Sequence, residues 1–199
     1  MMSDSNNILQ KLQDNAGDVA REPLEDVDKQ DDKGWTALHF AAKDGRTDRV
    51  KALKDKGSDV NKQTKKGSTA LFLASQNGHT ETVRALKQLG ANVDKQNESG
   101  WTALHIAAKS GHLRTVIALI EAKASVNKKN NSGWTALQYA SENEETQIVN
   151  TLLENGATYS VKDQIQVALS QGRQDMVFQF LGNLKSEKTG RKKEGISNI

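Results

Sequence analysis

The chain contains no cysteine and only one proline, Pro23, among its 199 residues. Without cysteine it can form no disulfide, thiolate zinc site, iron–sulfur cluster or cysteine nucleophile. Aromatic residues make up only 5% of the chain and hydrophobic residues 35%, which is less than an average globular domain carries. The composition therefore favours a thin fold with many short contacts over one thick core around a large sheet.

Long apolar segments are absent as well. No run approaches the roughly 20 apolar residues that a membrane-spanning helix needs. Residues 1–7 are polar and lack the basic and then hydrophobic order of a secretory signal. We therefore expect a soluble cytoplasmic protein without a membrane span.

The net charge of +3 is small, but it is unevenly distributed. Residues 1–32 hold nine acidic and three basic side chains, whereas residues 185–199 hold five basic and two acidic ones. The second segment lacks apolar periodicity and is predicted to be a disordered basic tail. Its end, Ser197-Asn198-Ile199, fits the carboxyl termini that PDZ domains bind by strand addition, although three residues are a weak signal.

An internal repeat of 33 residues organises most of the chain. Four segments share a glycine, a variable residue and then Thr-Ala-Leu, and their glycines are Gly34, Gly67, Gly100 and Gly133. The same spacing recurs in a valine series and a leucine series, which are Val50, Val83, Val116 and Val149, and Leu53, Leu86, Leu119 and Leu152. Coincident series at one spacing indicate stacked structural units.

These units resemble the ankyrin repeat family. The Gly-x-Thr-Ala-Leu-His segments, the paired alanines at 41–42 and 107–108, and the Gly-His pairs at 78–79 and 111–112 match its pattern. Alanine replaces the proline that usually follows the threonine in this family. The resemblance spans residues 31–162 and implies an all-α solenoid of helix-turn-helix units linked by β-hairpin fingers.

The period also divides the chain into units. No single repeat can bury its apolar stripe alone, so neighbours must stack and the end units must differ from the middle ones. The predicted units are an N-terminal capping or degenerate repeat at 1–30, repeats at 31–63, 64–96, 97–129 and 130–162, C-terminal capping helices at 163–184, and the tail at 185–199.

Each repeat carries the signals of two short helices. Thr36 is expected to cap a first helix over about residues 36–43, with His39 returning a hydrogen bond, and Gly45 is expected to end it. A second helix is predicted over about residues 47–55. Glu144 and Lys123 stand where other repeats have glycine, so we expect strain there and the fastest amide exchange in repeat 4 and its cap.

Residues that could carry catalysis or hold a metal do not form a recognisable set. There is no Gly-x-Ser-x-Gly segment and no phosphate-binding loop. The histidines fall at helix starts or after turn glycines, which favours structural roles over metal binding, and they are His39, His79, His105 and His112. We therefore expect no enzymatic activity, cofactor, metal or small-molecule substrate, and a monomer that binds another protein.

The resemblance also implies a binding surface, the concave groove made by finger tips and first helices. Its contact positions correspond here to Asp32, Lys33, Trp35, Lys43, Asp44, Lys65, Lys66, Ser68, Gln76, Asn77, Glu98, Ser99, Trp101, Lys109, Ser110, Asn131, Ser132, Trp134, Glu142 and Asn143. All three tryptophans occupy one repeat position. They are either binding hot spots or rings that pack against the next finger; we slightly favour packing, and both can hold.

Two further patterns leave alternatives open. A lysine band along the fingers could meet phosphates, nucleic acid or an acidic partner, although such lysines more often keep an edge soluble, and it consists of Lys62, Lys65, Lys66, Lys95, Lys128 and Lys129. Asn61 resembles ankyrin asparagines that hydroxylases modify, but we favour a structural role. Such a protein could be a eukaryotic adaptor or a bacterial effector delivered into a host cell. The cysteine-free, lysine- and asparagine-rich composition favours the effector.

Overall fold

The structure is a computed structural model that describes residues 26–170, 172–174 and 176–177. Most of the predicted N-terminal cap, residues 178–184 of the C-terminal cap and the whole predicted tail lie outside these ranges. Residues 26–170 contain nine helices and no strand.

The helices alternate between seven and nine residues in the four repeats. The first and second helices of the repeats are α1 (Ala37–Lys43) and α2 (Thr47–Asp55), α3 (Ala70–Gln76) and α4 (Thr80–Gln88), α5 (Ala103–Lys109) and α6 (Leu113–Glu121), and α7 (Ala136–Glu142) and α8 (Thr146–Glu154). A further helix, α9 (Val161–Ser170), follows at once and packs against α7.

A threonine in extended conformation precedes every first helix, as the sequence predicts. The backbone N–H of Thr102 donates to Nδ1 of His105 at 3.2 Å, and that of Thr135 donates to Oε1 of Gln138 at 2.9 Å. In repeat 2 the hydroxyl of Thr69 accepts from the N–H of Phe72 at 3.2 Å. The phenyl ring of Phe72 has no acceptor atom for the reciprocal bond from the N–H of Thr69. The first four backbone N–H groups of a helix have no partner within it, and these caps bond two of them at most of the helix starts.

The turns between the paired helices require left-handed backbone. Gly45, Gly78 and Gly111 supply it with φ of 69°, 71° and 71°. Glu144 adopts the same conformation with φ of 58°, and Lys123, at the end of a second helix, does so with φ of 67°. This conformation costs a residue with a Cβ about 1 kcal/mol. The positive φ angles of Glu144 and Lys123 therefore confirm the strain expected at both positions.

The core runs continuously through the stack. First helices pack on the first helices of neighbouring repeats, and second helices do the same. Ala42 and Ala108, on the first helices of repeats 1 and 3, are fully buried. Their small side chains let neighbouring helices approach closely. The leucine of each Thr-Ala-Leu segment is at most 1% exposed, and this set is Leu38, Leu71, Leu104 and Leu137.

Side-chain hydrogen bonds repeat with the same period and join neighbouring units. The Gln63 amide donates to the carbonyl of Gln96 at 3.1 Å. Asn61 accepts from the N–H of Asn92 at 2.7 Å and donates to the carbonyl of Gly90 at 3.2 Å. The Asn61 side chain therefore holds the following repeat, which supports the structural interpretation of this residue.

The predicted β-hairpin fingers are not confirmed, because residues 26–170 contain no strand. The links between repeats are short turns at residues 31–35, 64–68, 97–101 and 130–134, which we call finger turns. In the second, the N–H of Thr64 donates to the carbonyl of Ser68 at 3.0 Å, while the N–H of Ser68 donates to the Thr64 hydroxyl at 3.1 Å. A side chain thus takes the place of the second ladder bond that a hairpin would have.

Candidate functional site

One surface of the stack collects every predicted contact residue. We call it the finger face, and it consists of the finger turns and of the first helices α1, α3, α5 and α7, each with the residue that follows it. All twenty residues predicted from the sequence lie there at exposed or half-buried positions, and none is buried. Their side chains are therefore accessible to a partner.

Aromatic rings form a continuous cluster across repeats 3 and 4 of this face. The ring of Tyr139 lies between Trp101 and Trp134, with centroid distances of 4.3 Å and 4.9 Å. Tyr139 is only 9% exposed, and its hydroxyl accepts from the Asn130 amide at 2.8 Å. The two indoles are half-buried, so each packs on the tyrosine and still presents surface to solvent.

Lysine ammonium groups lie over these rings. Nζ of Lys109 is 5.3 Å from the centroid of Trp101 and 5.6 Å from that of Tyr139. In repeat 1, Nζ of Lys43 is 5.8 Å from the centroid of Trp35, whose ring also packs at 4.9 Å from Phe40. These are cation–π distances, and they couple the end of a first helix to its own finger turn.

The sequence did not single out Phe40 and Tyr139, although they organise the tryptophans. A signal was present, since the position five residues after the finger tryptophan is always large and apolar, with Phe40, Leu73, Ile106 and Tyr139. The shortest ring-to-ring distances of the tryptophans are to this first-helix position, within one repeat or to the next. Trp35 and Trp101 also lie 6.1 Å from the rings of His39 and His105. Packing and exposure thus coexist at the same rings.

Repeat 2 interrupts the pattern. Ser68 takes the tryptophan position and Gln76 the lysine position, so repeat 2 has no indole and no lysine at the end of its first helix, although Lys65 and Lys66 are exposed at its finger turn. Leu73, at the position of Phe40 and Tyr139, is only 5% exposed. The aromatic surface of the face is therefore divided into a unit at repeat 1 and the larger cluster in repeats 3 and 4, with a repeat between them that lacks an indole.

Charges on and beside the face have identifiable partners. Burial raises the pKa of Tyr139, and the nearby carboxylate of Glu142 raises it further against the opposing hydrogen bond from Asn130. In the lysine band, Nζ of Lys129 lies 3.8 Å from the carboxylate of Asp163. Lys128 donates from its Nζ to a backbone carbonyl at 3.3 Å. Two of the band's lysines are thus partly engaged within the protein.

The histidines form hydrogen bonds that stabilise the stack. His39 and His105 are buried, and burial lowers the pKa of each below the ordinary histidine value of 6.5. His79 and His112 donate from Nε2 to carbonyls of the preceding repeat at 2.8 Å and 3.0 Å. Within the described residues no three His, Asp or Glu side chains gather as metal ligands would.

In the part of the chain that the structure describes, no helix is long and apolar enough to cross a bilayer. A surface depression of about 590 Å³ lies among the second helices, where Thr47, Thr80, Arg84 and Arg114 contribute to its lining. It is lined by none of the predicted contact residues.

Comparison with known proteins gives one clear match. A family model described as ankyrin repeats (three copies) matches residues 2–97 and 87–163. The two matches together cover more than half of the chain. No curated protein matches the sequence significantly.

Proposed function

Since the chain belongs to the ankyrin repeat family, we propose that it is a non-catalytic module that binds a partner protein through its finger face, used as the concave groove of the array. Ankyrin repeats are generally protein–protein interaction modules. The observation that carries the proposal is the cluster of Trp101, Tyr139 and Trp134, in which two half-buried indoles pack on a buried tyrosine. Tryptophan and tyrosine are the residues most enriched among binding hot spots.

The rigidity of the cluster supports the same function. Tyr139 is fixed by its hydrogen bond to Asn130 and by the rings on both sides. The finger turns are tied to one another by backbone bonds such as that from the Asn131 N–H to the Ser99 carbonyl at 3.1 Å. A surface ordered before binding loses little conformational entropy on association, so more of the contact energy remains as affinity.

The proposal is tested with the double variant W101A/W134A. A pull-down from cytosol with the intact protein identifies the partner, and its affinity for both proteins is then measured by calorimetry. Loss of two hot-spot side chains is expected to cost at least about 2 kcal/mol, or roughly thirtyfold in affinity. The matched control is I117A/L153A, which removes apolar side chains that are 36% and 43% exposed on the second helices.

The two variants separate binding from folding. Both should keep the helical circular dichroism spectrum, and only W101A/W134A should lose the partner. Unchanged affinity of this variant would refute binding through the cluster. Equal losses in both double variants would point to a general loss of structure or to a different surface.

Binding of nucleic acid through the lysine band and tail is the second candidate. Lys65 and Lys66 support it, because both are exposed at a finger turn. The internal contacts of Lys128 and Lys129 count against it. Binding of unrelated DNA or RNA that falls steeply with salt would favour this candidate, because phosphate contacts release counterions; a flat response would remove it.

We further propose that the protein works as a bacterial effector in the cytosol of a host cell. The support is compositional, namely the absence of cysteine and the abundance of lysine and asparagine. A reporter fusion that becomes active only in host cytosol tests this setting during infection. A signal confined to the bacterium would favour an adaptor in the producing cell.

A further inference from the structure

The last residue of each first helix forms a row across the finger face, and the row is Lys43, Gln76, Lys109 and Glu142. The first three are exposed and the fourth is half-buried. The row therefore reads basic, neutral, basic and acidic from repeat 1 to repeat 4. The residue type at this repeat position changes in each of the three steps along the stack.

Both lysines of the row are held in place without a carboxylate. Nζ of Lys43 lies over Trp35 at 5.8 Å, and Nζ of Lys109 lies over Trp101 at 5.3 Å. The ion pairs within the described residues involve neither of them. An ammonium group has three donors, so a ring beneath it leaves donors for a ligand while it limits the rotamers that binding must freeze.

The same geometry decides the sign of the charge that the face accepts. A partner's lysine or arginine over Trp101 would compete with the ammonium of Lys109 and meet like charge at close range. A carboxylate meets opposite charge and free donors at the same place. The aromatic surface beneath is then covered by the apolar part of the ligand.

Gln76, the uncharged member of the row, separates the two basic positions. Lys43 and Lys109 are two repeats apart, and helices pack at about 8–10 Å, so the positions are separated by roughly 16–20 Å. An extended chain rises about 3.3 Å per residue, so that roughly five or six residues span this distance. Glu142, one repeat beyond Lys109, disfavours a third acidic residue at that end.

We infer that the finger face takes an extended acidic segment of a partner protein, with one carboxylate at Lys43, a second at Lys109 about six residues away, and an uncharged residue at Gln76 between them. The inference rests on the proposed function and names the chemistry of the partner for the same face. Because it concerns charge and spacing, it can fail while binding through the aromatic cluster stands.

The three tryptophans provide the assay, since all of them lie on this face and each gives one indole N–H signal in an NMR spectrum. The probes are synthetic twelve-residue peptides of Gly, Ser and Leu with two Glu six residues apart, two Glu three residues apart, two Gln six apart, or two Lys six apart. We expect the first peptide to shift the signals of Trp35 and Trp101 together. It should bind about two- to fivefold more tightly than the second, and more tightly still than the Gln and Lys peptides.

Charge reversal gives the matched pair of variants. K43E/K109E should lose the preference for the Glu peptide and gain one for the Lys peptide. K51E/K87E makes the same change in net charge at exposed lysines of the second helices and should bind the Glu peptide as the unmodified chain does. Comparing the two separates contact at the row from attraction by overall charge.

Several results would overturn the inference. Equal affinity for Glu and Gln peptides, tighter binding of the Lys peptide, or equal losses in both charge variants would each do so, and groove binding would survive if the indole signals still shift. Failure of every peptide to shift an indole signal at millimolar concentration would also overturn it. So would tighter binding of single-stranded DNA than of the Glu peptide in the same titration.

Discussion

The imidazole of His105 donates from Nε2 to the backbone carbonyl of Trp134 at 3.0 Å. Its Nδ1 accepts from the N–H of Thr102, which fixes the tautomer with hydrogen on Nε2. His105 is buried in repeat 3, whereas Trp134 carries its ring on the finger face of repeat 4. A core histidine thus positions the finger turn from which a candidate binding residue extends.

The buried histidines predict a dependence of stability on pH. Burial lowers the pKa of His39 and His105 below 6.5, so in acid the unfolded chain binds more protons than the folded one. The stability from their neutral forms is complete above pH 6.5 and is lost as pH falls from there towards the lowered pKa values of the folded state. Each histidine contributes at most about 1.4 kcal/mol per pH unit. Urea unfolding between pH 7.5 and 5 measures the effect.

Repeat 4 offers a natural control for this prediction. There Gln138 is fully buried and accepts from the Thr135 N–H as the histidines do, but it does not titrate in this range. The double variant H39Q/H105Q should therefore keep much of the stability at pH 7.5 and lose less of it on acidification. If its loss between pH 7.5 and 5 equals that of the unmodified chain, the histidines are not responsible.

Finger-turn glycines differ in how closely the next repeat approaches them. A Cβ on Gly100 would lie 2.6 Å from the backbone nitrogen of Asn131, whereas a Cβ on Gly133 would meet nothing within 4 Å. Both glycines have positive φ, 77° and 79°. G133A should cost about 1 kcal/mol from backbone strain alone, and G100A about 2–4 kcal/mol because the repeats must also separate.

Chemical denaturation of the two glycine variants measures this difference. Each serves as the control for the other, since the substitution and the backbone conformation are the same. Equal destabilisation would mean that close approach between finger turns contributes nothing to stability.

The sequence predicted those features that depend on local chemistry. Thr36 before a first helix and Glu144 in left-handed backbone follow from capping and turn preferences, and the structure has both. It did not predict that Tyr139 lies between two indoles, because that contact depends on the distance between repeats. The start of α9 at Val161 was missed although Ser160 and Asp163 form the reciprocal bonds of a capping box. The sequence also did not distinguish a β-hairpin finger from a short turn that is closed by the Thr64 hydroxyl.

The left-handed Glu144 predicts a stabilising substitution. Its φ of 58° is that of the glycine in the other three repeats, and its side chain is exposed. E144G should therefore raise the free energy of unfolding by about 0.5–1 kcal/mol, with the greater freedom of glycine in the unfolded chain offsetting part of the relief. Thermal unfolding beside G111A, which puts a Cβ into the corresponding turn of repeat 3, measures it. A lower melting temperature for E144G would contradict the strain at this turn.

Stability is also expected to vary along the stack, with repeat 4 and its cap exchanging amide protons fastest among the repeats. The valine of the second helix is at most 1% exposed in the first three repeats, but Val149 in repeat 4 is half-buried. Leu153 on the same helix is 43% exposed, so part of the apolar surface of α8 is uncovered although Ile148 and Leu152 are buried. In a stack, each unit is held by its neighbours, and local opening is easiest where burial is least.

Hydrogen exchange followed by mass spectrometry resolves the repeats, and the variant E144G provides the control. Relief of the turn should slow exchange in α7 and α8 while leaving repeats 1 and 2 unchanged, because coupling in a linear array is mainly between neighbours. Slowest exchange in repeat 4 of the unmodified chain would contradict the uneven distribution of stability. Uniform slowing in all repeats of E144G would show instead that the stack opens as one cooperative unit.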